Sequence, residues 1–150
     1  MAKRFDYVGA VALITGGASG IGRALCEALA ERGAEVVVAD RQAEEGEAVA
    51  AAIRAAGGNA YAATLDVRDA DAFRAVAEGV VKSSGRIDLF FNNAGIGVAG
   101  EVERYSRRDW DEVVDVNLRG VIHGIDAVYP IMITQGRGHI VNTASMAGLL

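Results

Sequence analysis

The chain has 150 residues, 51% of them apolar and 23% charged, which is enough for one domain with a real core and too apolar for a disordered segment. Its formal charge of -5 and pI near 5.0 give no overall basic footprint for nucleic acid or anionic lipid, which leaves at most a local patch. No run approaches the roughly 18 apolar residues of a membrane span, so no membrane partner and a cytoplasmic location are expected.

The opening "MAKRFDYVGAVALITGG" joins a charge pair to an apolar run, but Asp6 and the glycines break it up, so it reads as the lead-in to a strand rather than a signal peptide. "AVALITG", Ala10 to Gly16, is that strand. In "IGRALCEALAERGA" the residues Ile21, Leu25, Ala28 and Leu29 share one helical stripe, which Gly33 ends. Cys26 lies on this helix; as the single cysteine it rules out an intrachain disulfide and reads as a buried, inert thiol in a reducing compartment. "EVVVAD" is a second strand, and the alanine-rich "QAEEGEAVAAAIRAAGG" a second helix closed by paired glycines.

"NAYAATLD" makes a third strand, after which Asp69 can cap a helix over "ADAFRAVAEGVVKSSG". "IDLFFNNAG" is the fourth strand. The long segment from Tyr105 to Gly136 is helical, with Ser106 and Asp109 at capping-box spacing and Pro130 expected to kink or end it. "GHIVNTAS" is the fifth strand. Strands alternating with helices, and running as near-continuous apolar stretches, imply right-handed crossovers and a parallel sheet covered on both faces. No repeat or Pro-rich linker divides residues 1–150, so one domain is expected. His123 and His139 are far apart and no second cysteine exists, so a metal site has no support.

The first strand runs into "TGGASGIG", Thr15 to Gly22, and then a helix. Glycines there allow a sharp turn and close approach of a ligand, while the helix start offers free N–H groups to a phosphate. The spacing Gly16, Gly20, Gly22 is not the common G-x-G-x-x-G, and by itself such a turn is as well explained by structure as by binding. Asp40 sits at the end of the second strand about 20 residues on, where a carboxylate accepts hydrogen bonds from an adenosine ribose; this favours a dinucleotide over a solvated strand end. Asp40, and the lack of a basic residue at Ser19, point to NAD over NADP, while Arg41 could meet a 2'-phosphate. Asp66 could bond an adenine amino group or cap the turn that follows it. Asn92 to Gly95, "NNAG", end the fourth strand in small and amide residues, at the carboxyl end where ligands of open α/β sheets gather.

Taken in order, "TGGASGIG", Asp66–Val67, "NNAG", Asn117 in "DVNLRG" and Ser145 in "IVNTASMAG" resemble the main branch of the short-chain dehydrogenase/reductase family over almost the whole chain. The resemblance implies an α/β, Rossmann-like, doubly wound sheet in three layers, with the five strands in order 3-2-1-4-5, and hydride transfer between NAD(H) and a secondary alcohol or carbonyl. It implies that Gly16, Ser19, Gly20 and Ile21 hold the pyrophosphate side of the cofactor. Asp40 with Arg41 would meet the adenosine ribose, Asp66 and Val67 the adenine, and Asn93, Ala94 and Gly95 the middle. Ser145 would bond the substrate oxygen, and Asn117 would hold a water, in part through its backbone carbonyl. A homo-oligomer, dimer or tetramer, would form through the helix containing Asn117 and the one after it.

In that family a Y-x-x-x-K element supplies the acid/base tyrosine, with a lysine one helical turn on. Neither Tyr105 nor Tyr129 has lysine four positions on, and both precede Ser145. These residues are therefore expected to form the N-terminal part of a longer oxidoreductase, a dinucleotide-binding domain incomplete at its C-terminal side and inactive by itself. The competing reading is a non-catalytic dinucleotide-binding module complete at Leu150. "HIVNTAS" should then form an apolar sheet edge. Ile96, Val98, Met146, Leu149 and Leu150 suggest an apolar substrate wall, although core packing explains them equally well.

Overall fold

The computed structural model describes residues 6–146. Its strands are β1 (Val11–Thr15), β2 (Glu35–Asp40), β3 (Asn59–Thr64), β4 (Leu89–Asn92) and β5 (His139–Asn142). The helices are α1 (Gly20–Ala30), α2 (Ala43–Ala55), α3 (Ala70–Ser84), α4 (Arg107–Val114) and α5 (Gly120–Gln135). All neighbouring strands pair in parallel, in the order β3-β2-β1-β4-β5. The expected doubly wound sheet is the one observed.

Alternation along the strands divides the core in two. Val11 and Leu13 of β1 join Val37, Phe90 and the α3 and α5 residues Phe73, Ala77, Ala127 and Val128 on one face. Ala12 and Ile14 join Val36, Val38 and the α1 and α2 residues Cys26, Leu29, Val49 and Ile53 on the other. Burial follows strand position. β1 is buried throughout, whereas β3 and β5, each paired on one side only among the described residues, keep exposed positions. Val141 on β5 is 42% exposed, in line with an apolar sheet edge.

Local chemistry sets the helix ends. Asp69 accepts from the N–H groups of Asp71 and Ala72 to start α3, and Gly85 in the left-handed region closes it. Ser106 and Asp109 form a reciprocal capping box at α4, so aspartate suffices in the place where glutamate is commoner. α5 lies close enough to the sheet that a Cβ on Gly124 would stand 2.3 Å from Asn92 Oδ1 and 2.7 Å from the Phe90 ring.

The expected long helical segment departs from expectation in two ways. It is broken at Asp115–Arg119, which form a π-type turn between α4 and α5. At Pro130 it does not end but runs on to Gln135, where Gly136 caps it. Pro130 is exposed on the outer side of α5, so the carbonyl left without its N–H can be satisfied by water. Among the described residues no helix is long and apolar enough to cross a membrane.

Candidate dinucleotide site

β1 delivers the chain into the glycine turn. Gly16 adopts φ +66, and a Cβ there would lie 2.9 Å from Ala94 Cα, so the turn and the end of β4 pack backbone to backbone. Gly22 is tighter, because a Cβ would fall 2.0 Å from the Gly16 carbonyl oxygen. Glycine at these positions folds the start of α1 back over the end of β1. Ser19 precedes the helix without a side-chain cap bond, and the first-turn N–H groups have no partner within the helix.

Thr15 ties the two central strands together at this end. Its hydroxyl donates to the Phe91 carbonyl at 3.2 Å and accepts from the N–H groups of Asn93 and Ala94 at 3.0 and 3.1 Å. The Asn93 amide donates to the Thr15 carbonyl at 3.1 Å and accepts from the Thr143 hydroxyl at 3.3 Å. "NNAG" is thus held by specific bonds from both neighbouring strands. Asn92 is buried and donates to Asn142 Oδ1 at 2.9 Å, across from it in register.

At the end of β2, Asp40 accepts from Ala18 N–H at 3.0 Å and Gln42 N–H at 3.1 Å. A carboxylate has about four acceptor sites, so these two bonds orient it and leave capacity. Asp66, beyond β3, accepts from Arg68 N–H at 3.0 Å and from the Arg68 guanidinium. The guanidinium bonds hold its carboxyl below the ordinary carboxylate range. Asp66 therefore does cap its turn, but as an Asx turn ahead of α3, whose own cap is Asp69.

These groups face one cleft of about 390 Å³ at the carboxyl ends of the strands. Gly16, Ser19, Gly20, Ile21, Asp40 and Arg41 line it from the β1 and β2 side. Asp66, Val67, Asn93, Ala94 and Gly95 complete it from β3 and β4. Every residue that the sequence suggested for cofactor binding thus lies on its wall. Gln42, Leu65, Ile96, Val116 and Thr143 also line it and were not singled out for it. Polar Thr143 directly follows the end of β5 and Gln42 stands two residues past the end of β2, which is the one signal the sequence carried for them.

The two catalytic candidates stand apart from that wall. Asn117, in the π-type turn, accepts from Ile96 N–H at 2.8 Å and donates to the Ile96 carbonyl at 2.8 Å, so its side chain pins the loop after β4. Ser145 is exposed, two residues beyond Thr143. Of the suggested apolar wall, Ile96 and Val98 are half-buried and Met146 is exposed, while Leu149 and Leu150 lie outside the described residues. Cys26 is fully buried and burial pushes its thiol up to about 12, as an inert core thiol requires.

A doubly wound sheet with a glycine turn, a β2 carboxylate and a cleft at the strand ends is the architecture of dinucleotide-binding folds. The family model for the short chain dehydrogenases matches residues 10–150, and the chain belongs to that family. It is 41% identical over 149 residues to the 2,5-dichloro-2,5-cyclohexadiene-1,4-diol dehydrogenase LinX of Sphingobium indicum, covering 99% of this chain and 59% of that protein. A short chain dehydrogenase/reductase from Burkholderia phymatum in complex with NAD superposes with TM-score 0.93 at 42% identity, over 98% of this chain and 53% of that one. A metagenomic short-chain oxidoreductase in complex with NADP gives TM-score 0.88 at 39% identity, over 96% of this chain and 66% of that one. The chain thus spans little more than half the length of the curated relatives it matches.

Proposed function

We propose that these residues form the cofactor-binding part of an NAD-dependent oxidoreductase acting on a small secondary alcohol or carbonyl compound. The observation that carries this reading is the convergence of eleven residues, from the ends of four strands, on one cleft. The residues fit a dinucleotide. Gly16 and Gly22 let the start of α1 fold back tightly over the end of β1, the α1 N-terminus presents N–H groups to a pyrophosphate, and Asp40 retains acceptor capacity. Its negative charge suits the hydroxyls of an NAD ribose and opposes a 2'-phosphate, with Arg41 as the one neighbouring cation on the cleft wall that acts the other way.

When bound, the nicotinamide ring supplies or accepts the hydride. In this reading Ser145 donates a hydrogen bond to the substrate oxygen as charge develops there. Asn117 spends its amide on Ile96, so its backbone carbonyl, in a turn where the regular helical ladder is interrupted, is what it offers to a water. Residues 1–150 contain no tyrosine with lysine four positions on, and we propose that by themselves they hold cofactor without turnover.

Assembly with a second copy is supported by the outer side of α4 and α5. Trp110, Val114, Leu118 and Ile122 recur every fourth residue there, and three of them are more than half exposed. Sedimentation equilibrium reads this directly, and a monomer at high concentration removes it. The cofactor assignment is tested by calorimetric titration with NAD and NADP. NAD should bind more tightly, and Asp40→Ala should weaken NAD about tenfold, the scale of a lost hydrogen bond to a charged acceptor; unchanged affinity would overturn the role given to Asp40.

A further inference from the structure

Asp66 is placed more tightly than a residue at the rim of a cleft needs to be. Its neighbours Leu65 and Val67 are 3% and 7% exposed, which fixes the backbone on both sides. Its carboxylate is then gripped by a single residue. Arg68 Nε lies 2.9 Å from Oδ1 and 3.0 Å from Oδ2, and Nη2 lies 2.5 Å from Oδ2, while the Arg68 N–H reaches Oδ1 at 3.0 Å. A side-on guanidinium sets the plane of a carboxylate as well as its charge.

Other acids near Arg68 are engaged elsewhere. Glu112 and Asp115 both attract it, but Glu112 pairs with Arg108 at 2.8 Å and Asp115 with Arg119. Among the described residues Asp66 is the one acid in ion-pair contact with Arg68. The guanidinium therefore has a reason to remain where it is.

We propose that Arg68 is a positioning residue for the base: by gripping Asp66 it presents a pure hydrogen-bond acceptor to the adenine end of the cleft, selecting a purine with an amino group at C6 over one with a carbonyl. This rests on the dinucleotide reading above. An ionised carboxylate only accepts, so it pairs with an exocyclic amine and repels a carbonyl oxygen. A carboxyl free to turn away or to take up a proton loses that discrimination.

The test compares binding of NAD and nicotinamide hypoxanthine dinucleotide to the chain and to Arg68→Ala and Arg68→Lys. The two ligands differ at C6 of the base. The unaltered chain should prefer NAD. In Arg68→Ala the preference should shrink about three- to tenfold, and Arg68→Lys, which keeps the charge but not the fork, should recover part of it. A merely structural role would weaken both ligands alike and leave the ratio unchanged, which would overturn the proposal, as would a ratio that rises or an unaltered chain that binds both equally. If the unaltered chain binds neither ligand, the dinucleotide reading itself fails, an outcome distinct from failure of the Arg68 role.

Discussion

Asp88 and Asp40 lie at opposite ends of the same sheet, and each accepts a main-chain N–H beside β1, Asp88 from Val11 at 2.9 Å and Asp40 from Ala18 at 3.0 Å. Their other partners differ. Asp88 is met by Arg86 at 2.7 Å and Arg137 at 3.3 Å, and its side chain is 10% exposed. Asp40 has a second backbone N–H, from Gln42, and no ion pair among the described residues. At the amino ends of the strands the charge is neutralised by the protein's own cations and closed off. Asp40, at a carboxyl end, is oriented by amide dipoles alone and faces a cleft. The same pattern recurs in the amides: Gln135 exchanges two hydrogen bonds with Ile87 at the closed end, whereas Asn93 is fixed by Thr15 and Thr143 on the wall of the open one.

The open end is the easier to break. Gly22→Ala puts a methyl group where the Gly16 carbonyl stands, and neither backbone can yield cheaply. We expect a loss of about 3 kcal/mol, seen as a melting point lower by roughly 6–12 °C, together with loss of measurable NAD binding. Asp88→Ala breaks the other end. It strands the buried Val11 N–H, while Arg86 and Arg137 are exposed enough to be rehydrated, so the cost should be about 2 kcal/mol. The melting point should then fall by roughly 4–8 °C with NAD affinity unchanged. If Asp88→Ala abolished NAD binding, the division of labour between the two ends would be wrong.

The contrast also explains what could be read from the sequence. The strands, the glycine turn and the acids and amides at strand ends were legible because short-range rules carry them, whereas the order of the strands and the full set of eleven cleft residues came from the family resemblance. Arg68 was not legible, since nothing in "DVRD" says that an arginine will fold back onto the aspartate two residues before it. The Thr15 hydroxyl was equally silent, because its partners Asn93 and Ala94 are nearly eighty positions away. The π-type turn escaped for a different reason. "DVNLR" has ordinary helix formers, and Asn117 there is bonded across to Ile96, a contact that helical periodicity does not encode. Pro130 was read as a kink or an end by a local rule, and of these the end does not occur, since its place on the exposed side of α5 lets the helix continue to Gln135.

Asp109 extends the series to a third carboxylate, half-buried at the start of α4, and gives the smallest expected effect. It accepts from Ser106 N–H and from the Ser106 hydroxyl, each at 2.7 Å, and these bonds hold its carboxyl below the ordinary range. A depressed folded value means that the contribution is fully present above the unfolded value near 3.9 and is lost as pH falls through the folded one. Stability should therefore be flat in this respect from neutral pH to about 5 and decline only in acid. Ser106→Ala removes both the cap at the start of α4 and the hydroxyl bond to Asp109. The expected cost near pH 7 is about 1 kcal/mol, a melting point lower by roughly 2–4 °C, and the gap between variant and parent should narrow as Asp109 protonates. A gap that stays constant below pH 3 would show that the cap acts through Ser106 alone. A gap that closes would show that the Ser106 hydroxyl acts through the Asp109 carboxylate, a bond confined to one helix end, whereas the Asp88 carboxylate joins the start of β1 to Arg86 and Arg137 and Asp40 faces the cleft.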